Sequence, residues 1–272
     1  MEITLQPKKV ALTLFWIVMV LTLIHSTVLF FYFFLKDEAV FGLVALFDFD
    51  IEGNVPTLYS ALALLLCASL LAIIACENRA TDVRWRNYWR GLAVIFAFLA
   101  IDEGVGIHEH LSDVFENFMA AEGLLYFLWV VPYGVATAIV AVIYLRFVWN
   151  LPKPTRTLFV TAGAIFLAGA VGIEMLSARE VDQHSVNTIT YCLLYTFEEL
   201  FEMLGIVLFI YALLTYIVQE SGRLSIVVEL ASSGTSEPDS NPQQVSSIGA
   251  AEGSLGHQHQ RKRASEALDP AD

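Results

Sequence analysis

Six apolar runs, at residues 10–35, 57–76, 91–111, 124–149, 157–176 and 190–218, account for most of the chain. Each approaches or exceeds the roughly 20 residues a helix needs to cross a bilayer. Backbone N–H and C=O groups have no water partners in hydrocarbon, so runs of this kind must satisfy them internally as helices. Composition agrees. Hydrophobic residues make up 57% of the 272 residues and charged residues 16%, with a mean hydropathy of +0.63, well outside the range of ordinary soluble domains. The expected fold is an all-α integral membrane protein, a bundle of six transmembrane helices. The first run is expected to be retained. It exceeds the about 7–15 apolar residues of a signal-peptide core, and it ends in Phe33-Phe34-Leu35-Lys36-Asp37-Glu38 without a small-residue cleavage pattern.

Charge placement predicts the orientation. Lys8 and Lys9 precede the first run, Arg79, Arg84, Arg86 and Arg90 separate the second from the third, and Arg146, Lys153 and Arg156 surround the junction of the fourth and fifth. The alternate loops carry Asp37, Glu38, Asp48, Asp50 and Glu52, then Asp113 and Glu116; Lys36 and Arg179 are the exceptions. The positive-inside rule then places both termini in the cytoplasm, in a cell (inner) membrane. From residue 220 onward the chain is rich in Ser, Gly, Pro and Gln. Such material cannot bury enough apolar surface to offset its ordering entropy, so residues 220–272 are expected to be a disordered cytoplasmic tail behind a transmembrane domain at 1–219. Part of the net charge of −13 belongs to that tail. Its 257–263 stretch, with two His and a basic Arg261-Lys262-Arg263, suits either solvent or anionic lipid.

Eight acids lie inside or at the edge of these runs: Asp102, Glu103, Glu109, Asp113, Glu174, Glu198, Glu199 and Glu202. No Lys or Arg shares the runs with them. Ionised groups at membrane depth pair with opposite charge or line a wet cavity, so these carboxyls either hold protons or surround a cation. At about 1.5 Å of rise per residue, Asp102 and Glu103 fall near mid-membrane. Glu174 lies roughly 25 Å along its helix, and the three glutamates of the last run come to a similar depth from the other direction. Glu198, Glu199 and Glu202 share one side of that helix, with Tyr191 and Tyr195 continuing the stripe where they could hydrogen-bond the acids. In the third run Asp102 and Glu109 are nearly eclipsed, and Glu103 and His110 form a parallel row. His108 points elsewhere on an ideal helix, but Gly104 and Gly106 can loosen the turn and bring it inward. Gly163 and Ala170 share the face of Glu174 and would permit close helix packing, with Leu167 interrupting the row. His25 falls at a comparable depth.

Carboxylates and imidazoles on facing helices are the raw material of a carboxylate-bridged two-metal site, although the spans hold none of the Glu-x-x-His of ferritin-like bundles. An O/N donor set of this kind suits Fe, Mn or Zn, and the cation would supply the missing charge. The candidate metal set is Asp102, Glu103, His108, Glu109, His110, Glu174, Glu198, Glu199 and Glu202, supported by His25, Tyr191 and Tyr195, with no catalytic residue singled out. Blander readings stand beside it. Glu109, His110 and Asp113 suit a wet helix end, Glu174 an interfacial position near Arg179, His25 a packed histidine, and Pro132-Tyr133-Gly134 a kink. Cys67, Cys76 and Cys192 are dispersed and read as small apolar residues. No nucleotide or haem motif, nucleophile elbow, nucleic-acid patch or internal repeat is visible.

The stretch from Leu99 to Glu109, Leu-Ala-Ile-Asp-Glu-Gly-Val-Gly-Ile-His-Glu, and the stretch from Phe197 to Gly205, Phe-Glu-Glu-Leu-Phe-Glu-Met-Leu-Gly, resemble the motifs of a group of bacterial multi-spanning membrane proteins of unassigned function. The resemblance covers residues 10–218. It implies His108 and Glu109 as site members beside Asp102, Glu103, Glu199 and Glu202, and it implies no chemistry. Two functions are compatible with the residues. One is a metal-dependent membrane enzyme, an oxidoreductase or hydrolase, acting on a lipid or quinone-like substrate from the bilayer. The other is a proton- or cation-coupled transporter or channel with the acids as its relay; the small helix count and lack of a repeat weigh against it.

Overall fold

The computed structural model describes residues 2–4, 6–35, 42–77, 83–221 and 225–227. The expectations for Lys36, Asp37, Glu38 and Arg79 lie outside the described residues, as does the expected disorder of residues 228–272. Helix α1 (Pro7–Leu35) is followed by the short α2 (Leu43–Phe47) and a turn-rich segment leading into α3 (Val55–Glu77). Next come α4 (Val83–Val105) and α5 (Ile107–Phe115), then a 3-10 turn at Gly123–Leu125 and α6 (Val130–Asn150). Helix α7 (Lys153–Leu167) continues through a π-helical segment, Ala168–Ile173, into α8 (Glu174–Gln183), and α9 (Ile189–Ser221) closes the bundle. A three-residue strand β1 (Glu2–Thr4) pairs antiparallel with β2 (Ser225–Val227), Ile3 opposite Ile226. The segment expected to be disordered from residue 220 thus begins with the last turn of α9 and a short strand.

Five helical segments are long and apolar enough to cross a membrane: Pro7–Phe34, Val55–Cys76, Val130–Asn150, Lys153–Gln183 and Ile189–Glu220. Their outward faces are apolar, as with Trp149 and with Val142, which is 75% exposed. A soluble monomer does not display such surface, and helices apolar all round belong in lipid or in a core. The third run stands apart. Helix α4 has 23 residues, but Arg84, Arg86 and Arg90 occupy its start and Asp102 and Glu103 its end. Only residues 91–101 between them are uncharged, so α4 does not qualify as a span by apolar length.

Helix α9 is central, with Met203, Ile210, Ala212 and Leu213 wholly buried. One core cluster joins α3, α4, α6, α7 and α9 around Trp89, Phe147, Phe159 and Leu213. A second joins α1 to α9 through Val18, Leu21, Met203 and Val207, and Phe49 of the loop before α3 packs into it. Two glycines set the α7–α9 contact. A Cβ on Gly169 would stand 2.6 Å from the Glu198 carbonyl oxygen, and one on Gly205 would stand 2.8 Å from the Phe166 backbone nitrogen and 3.0 Å from the Ala162 carbonyl oxygen. The close approach expected along Gly163 and Ala170 is therefore made elsewhere, since a Cβ on Gly163 meets nothing within 4 Å. Gly163 fronts an apolar cavity instead, and the contact falls at Gly169, within the π-helical turn. Its wider hydrogen-bonded loop rotates α8 relative to α7, and such turns gather at functional sites.

Gly205→Ala is expected to destabilise the bundle by about 1–3 kcal/mol, the usual cost of overpacking, because the atoms it meets are backbone and cannot swing aside. Gly163→Ala should hold or raise stability, since Ala is favoured over Gly in a helix interior by about 0.5–1 kcal/mol. Thermal unfolding of both variants in detergent micelles checks the contrast, and equal melting temperatures would refute this account of the α7–α9 contact.

Candidate functional site

The site begins at Gly106. Helix α4 ends with the Gly106 N–H donating to the Asp102 carbonyl (2.7 Å), and Gly106 adopts φ 68°, ψ 42°. L-residues with a side chain avoid this left-handed region, at roughly 1–2 kcal/mol. A Cβ there would also collide with the Glu52 carboxylate. Glycine is thus required twice over. The break turns α5 out of line with α4 and leaves the first N–H groups of α5 without an intrahelical partner, as at any helix start. Asp102, from the helix before, fills the role of the cap: its Oδ1 accepts the His108 N–H at 2.9 Å.

The same carboxylate holds the His108 ring. Nδ1 lies 3.3 Å from Asp102 Oδ1, and Asp102 Oδ2 accepts the Tyr133 hydroxyl at 2.9 Å. Trp129 packs edge-on to the imidazole, ring centroids 4.9 Å apart. Its other nitrogen, Nε2, faces Glu52 Oε1 at 3.6 Å. Ligand atoms of Glu52, His108 and Glu109 all lie within 4.8 Å of one another. Ligands about 2.0–2.2 Å from one zinc-sized ion span at most roughly twice that distance, so little movement separates this trio from coordination.

These groups open into a cavity of about 480 Å³ that reaches down between α4, α8 and α9. Asp50, Glu52, Asp102, Glu103, Glu109, Glu174, Glu198, Glu199 and Glu202 line it, with His108 as the single imidazole and, among the described residues, no Lys or Arg. Neutral donors orient several of the acids. Trp129 Nε1–H donates to Glu174 Oε1 at 3.0 Å, and the Ser177 hydroxyl donates to Glu198 Oε2 at 3.2 Å. Glu174 and Glu198 both face this cavity.

The loop before α3 supplies further acids, outside the candidate set. Tyr191 donates to Asp50 Oδ1 at 2.5 Å and Tyr195 to Asp48 Oδ1 at 3.0 Å. The stripe of tyrosines therefore serves this loop and not the glutamates of its own helix. Burial pushes the Asp50 carboxyl up to about 6, with Asp48, Glu174 and Glu109 adding to the effect and the Tyr191 hydrogen bond opposing it. Glu52 is raised as well, first by burial and then by facing Glu109. The one sequence signal for these residues is the alternation Asp48-x-Asp50-x-Glu52, which the orientation rule treats only as negative loop charge. His25 anchors the loop. Wholly buried, it makes a 2.9 Å hydrogen bond to Thr196 Oγ1 through Nε2, accepts the Phe49 N–H at 3.3 Å through Nδ1 and stacks on Phe49 at 4.1 Å. It is a packed, positioning histidine and does not line the cavity.

Of the nine candidate ligands, eight line the cavity. His110 does not: its exposed ring lies 2.7 Å, through Nδ1, from the Gly106 carbonyl and closes the turn from outside. The side chain of Asp113 lies outside the described residues.

The chain belongs to the family described as a domain of unknown function, DUF8692, whose model matches residues 10–217. The match runs from α1 nearly to the end of α9 and takes in every cavity-lining residue named above. No curated protein and no solved structure matches the chain.

Gly106→Ala is expected to lower the melting temperature in detergent, by the left-handed strain and by displacement of the Glu52 carboxylate. Gly104→Ala is the control, because a Cβ there meets nothing within 4 Å and should leave stability unchanged. The prediction fails if the two variants melt together.

Proposed function

We propose that this is a six-span membrane protein, both ends cytoplasmic, whose acidic cavity binds divalent metal (Fe, Mn or Zn) and performs metal-dependent oxidation or hydrolysis on a hydrophobic substrate from the bilayer. The observation that carries the reading is the donor set: nine carboxylates and one imidazole around one cavity, with no basic side chain among the described lining residues. Burying that much uncompensated charge in an apolar bundle is prohibitive. A divalent cation supplies the charge, and hard or borderline ions accept this mixture of oxygen and nitrogen.

Glu52, His108 and Glu109 are the proposed first ligands, with Glu174, Glu198, Glu199 and Glu202 available to a second ion deeper in. Asp102 is the orienting carboxylate behind the histidine, an arrangement recurrent at metal sites because it fixes the tautomer and raises the basicity of the ligating nitrogen. Metal held there would act as a Lewis acid and ease deprotonation of bound water. Glu103, which lines the cavity without belonging to the trio, is placed to act as general acid or base.

The six-span reading counts α4 despite its charged ends. Pairing of β1 with β2 brings the two ends of the described chain together, and an even number of crossings is the topology in which both lie on one side. Lys8, Lys9, Arg84, Arg86, Arg90, Arg146, Lys153 and Arg156 occupy the α1 start, the α4 start and the α6–α7 junction, the side that the positive-inside rule makes cytoplasmic.

Elemental analysis of the protein purified in mild detergent is the test. Wild type is expected to carry at least one Fe, Mn or Zn per chain. Glu52→Gln and His108→Ala should lose it, and Asp102→Asn should weaken it by the roughly 10–100-fold typical of outer-shell changes. A metal-free wild type whose liposomes take up protons, with uptake lost in Glu202→Gln, would instead establish the proton-coupled transporter.

A further inference from the structure

A second cavity, of about 200 Å³, lies against the first. Leu64, Leu99 and Phe166 line both. The second is apolar throughout except for Tyr144, whose hydroxyl already donates to the Tyr88 carbonyl at 3.1 Å. Water needs two to four polar partners to occupy such a space, and apolar cavities of this order stay dry and accept apolar guests.

The cavity's lining runs lengthwise along two helices. It follows α4 from Leu99 to Leu92 and α7 from Phe166 to Phe159, seven residues on each helix, or roughly 10 Å of rise. Tyr144, whose hydroxyl occupies the space a side chain on Gly91 would fill, closes the far end. The near end, at Leu64, Leu99 and Phe166, borders the carboxylate cavity.

Helix α6 forms the lipid-side wall and is held at both ends and through Tyr144. Tyr133 donates to Asp102 at one end. At the other, Phe147 is buried against Trp85, Tyr88 and Trp89. Between these points Val135, Ile139, Val142 and Ile143 are exposed, and Val140 faces the cavity. A Cβ on Gly163 of α7, which lines the cavity, meets nothing within 4 Å, so there is room beside α7 for a chain.

We propose that this cavity holds the single alkyl chain of a membrane-borne amphiphile, whose polar head lies among the carboxylates. The assignment rests on the reading of the acidic cavity as the site of chemistry, and it makes the substrate a chain-bearing lipid with a hydroxyl or similar small head.

The test uses the full-length protein in detergent and hexadecan-1-ol carrying a mid-chain diazirine. After photolysis, labelled peptides are mapped by mass spectrometry, with and without excess unlabelled hexadecan-1-ol. Label is expected on the cavity-facing residues of 92–99, 140–148 and 159–167, and competitor should remove it. Gly163→Phe, which projects into the open space at Gly163, should cut this labelling at least tenfold with metal content unchanged. Val140→Trp blocks from the opposite wall should the first variant misfold. Label confined to bilayer-facing Val94 and Val142, or undiminished by competitor in wild type, overturns the proposal. Metal content is read on the same samples. A labelled but metal-free protein would sink the metal reading alone, and a metal-loaded protein without competed label would sink the chain site alone.

Discussion

Uncompensated negative charge inside an apolar bundle is the constraint on which the rest of the structure depends. A chain that wanted only a stable helical bundle would not place nine carboxylates around one space, and a chain that had to neutralise them internally would supply arginine or lysine. Among the described residues the cavity has neither. The neighbouring helices contribute Trp129, Ser177, Tyr133, Tyr191 and Tyr195, neutral donors that orient carboxylates without cancelling them. Orientation without neutralisation leaves these acids uncompensated by the described side chains. It also keeps the cavity open, since a long basic side chain would fill the space it neutralised.

The geometry at Gly106 shows how local backbone chemistry serves that end. A continuous helix through residues 83–115 would point His108 away from Asp102 and Glu109. One residue in the left-handed region ends α4 and restarts the chain as α5. Six positions before His108, Asp102 then meets both the new helix start and the ring. Helix starts favour negative charge, so the same interaction caps α5 and fixes the imidazole. The cost of leaving the helix is offset where the ring gains its orientation.

How much of this is legible in the sequence depends on the physics involved. Membrane helices announce themselves through apolar length, and α1, α3, α6 and α9 fall within a few residues of the runs that predict them. The weakness of Gly104–Gly106 is visible because glycine reports backbone freedom directly, and the break falls at Gly106. Periodicity puts Gly163, Ala170 and Glu174 on one face, and all three do front the cavities, but it adds a close helix contact that Gly163 does not make. Ideal-helix counting likewise admits His110, and the break at Gly106 excludes it. Asp48, Asp50 and Glu52 escape for a different reason. Loop residues have no period, and the contacts that hold this loop against the bundle come from His25 and Tyr191, partners distant in sequence. Tertiary contacts of this kind leave no local mark.

The two cavities share a wall because three helices change character at one level. On α4 the lining runs Leu92, Phe96, Leu99 and then, one turn on, Asp102 and Glu103. On the α7–α8 segment it runs Phe159, Ala162, Phe166 and then Ala170 and Glu174. Along α9, read from its far end, it runs Phe209, Ile206, Gly205 and then Glu202, Glu199 and Glu198. A purely apolar core would have continued the first pattern, and a water-filled pore would have continued the second through the bundle. Neither occurs. Switching from apolar to acidic at matching heights on three separate helices creates a boundary between a dry space and a charged one. Such a boundary fits an amphiphile better than an ion conduit, because an ion crossing the bundle would face the full desolvation cost of the apolar half.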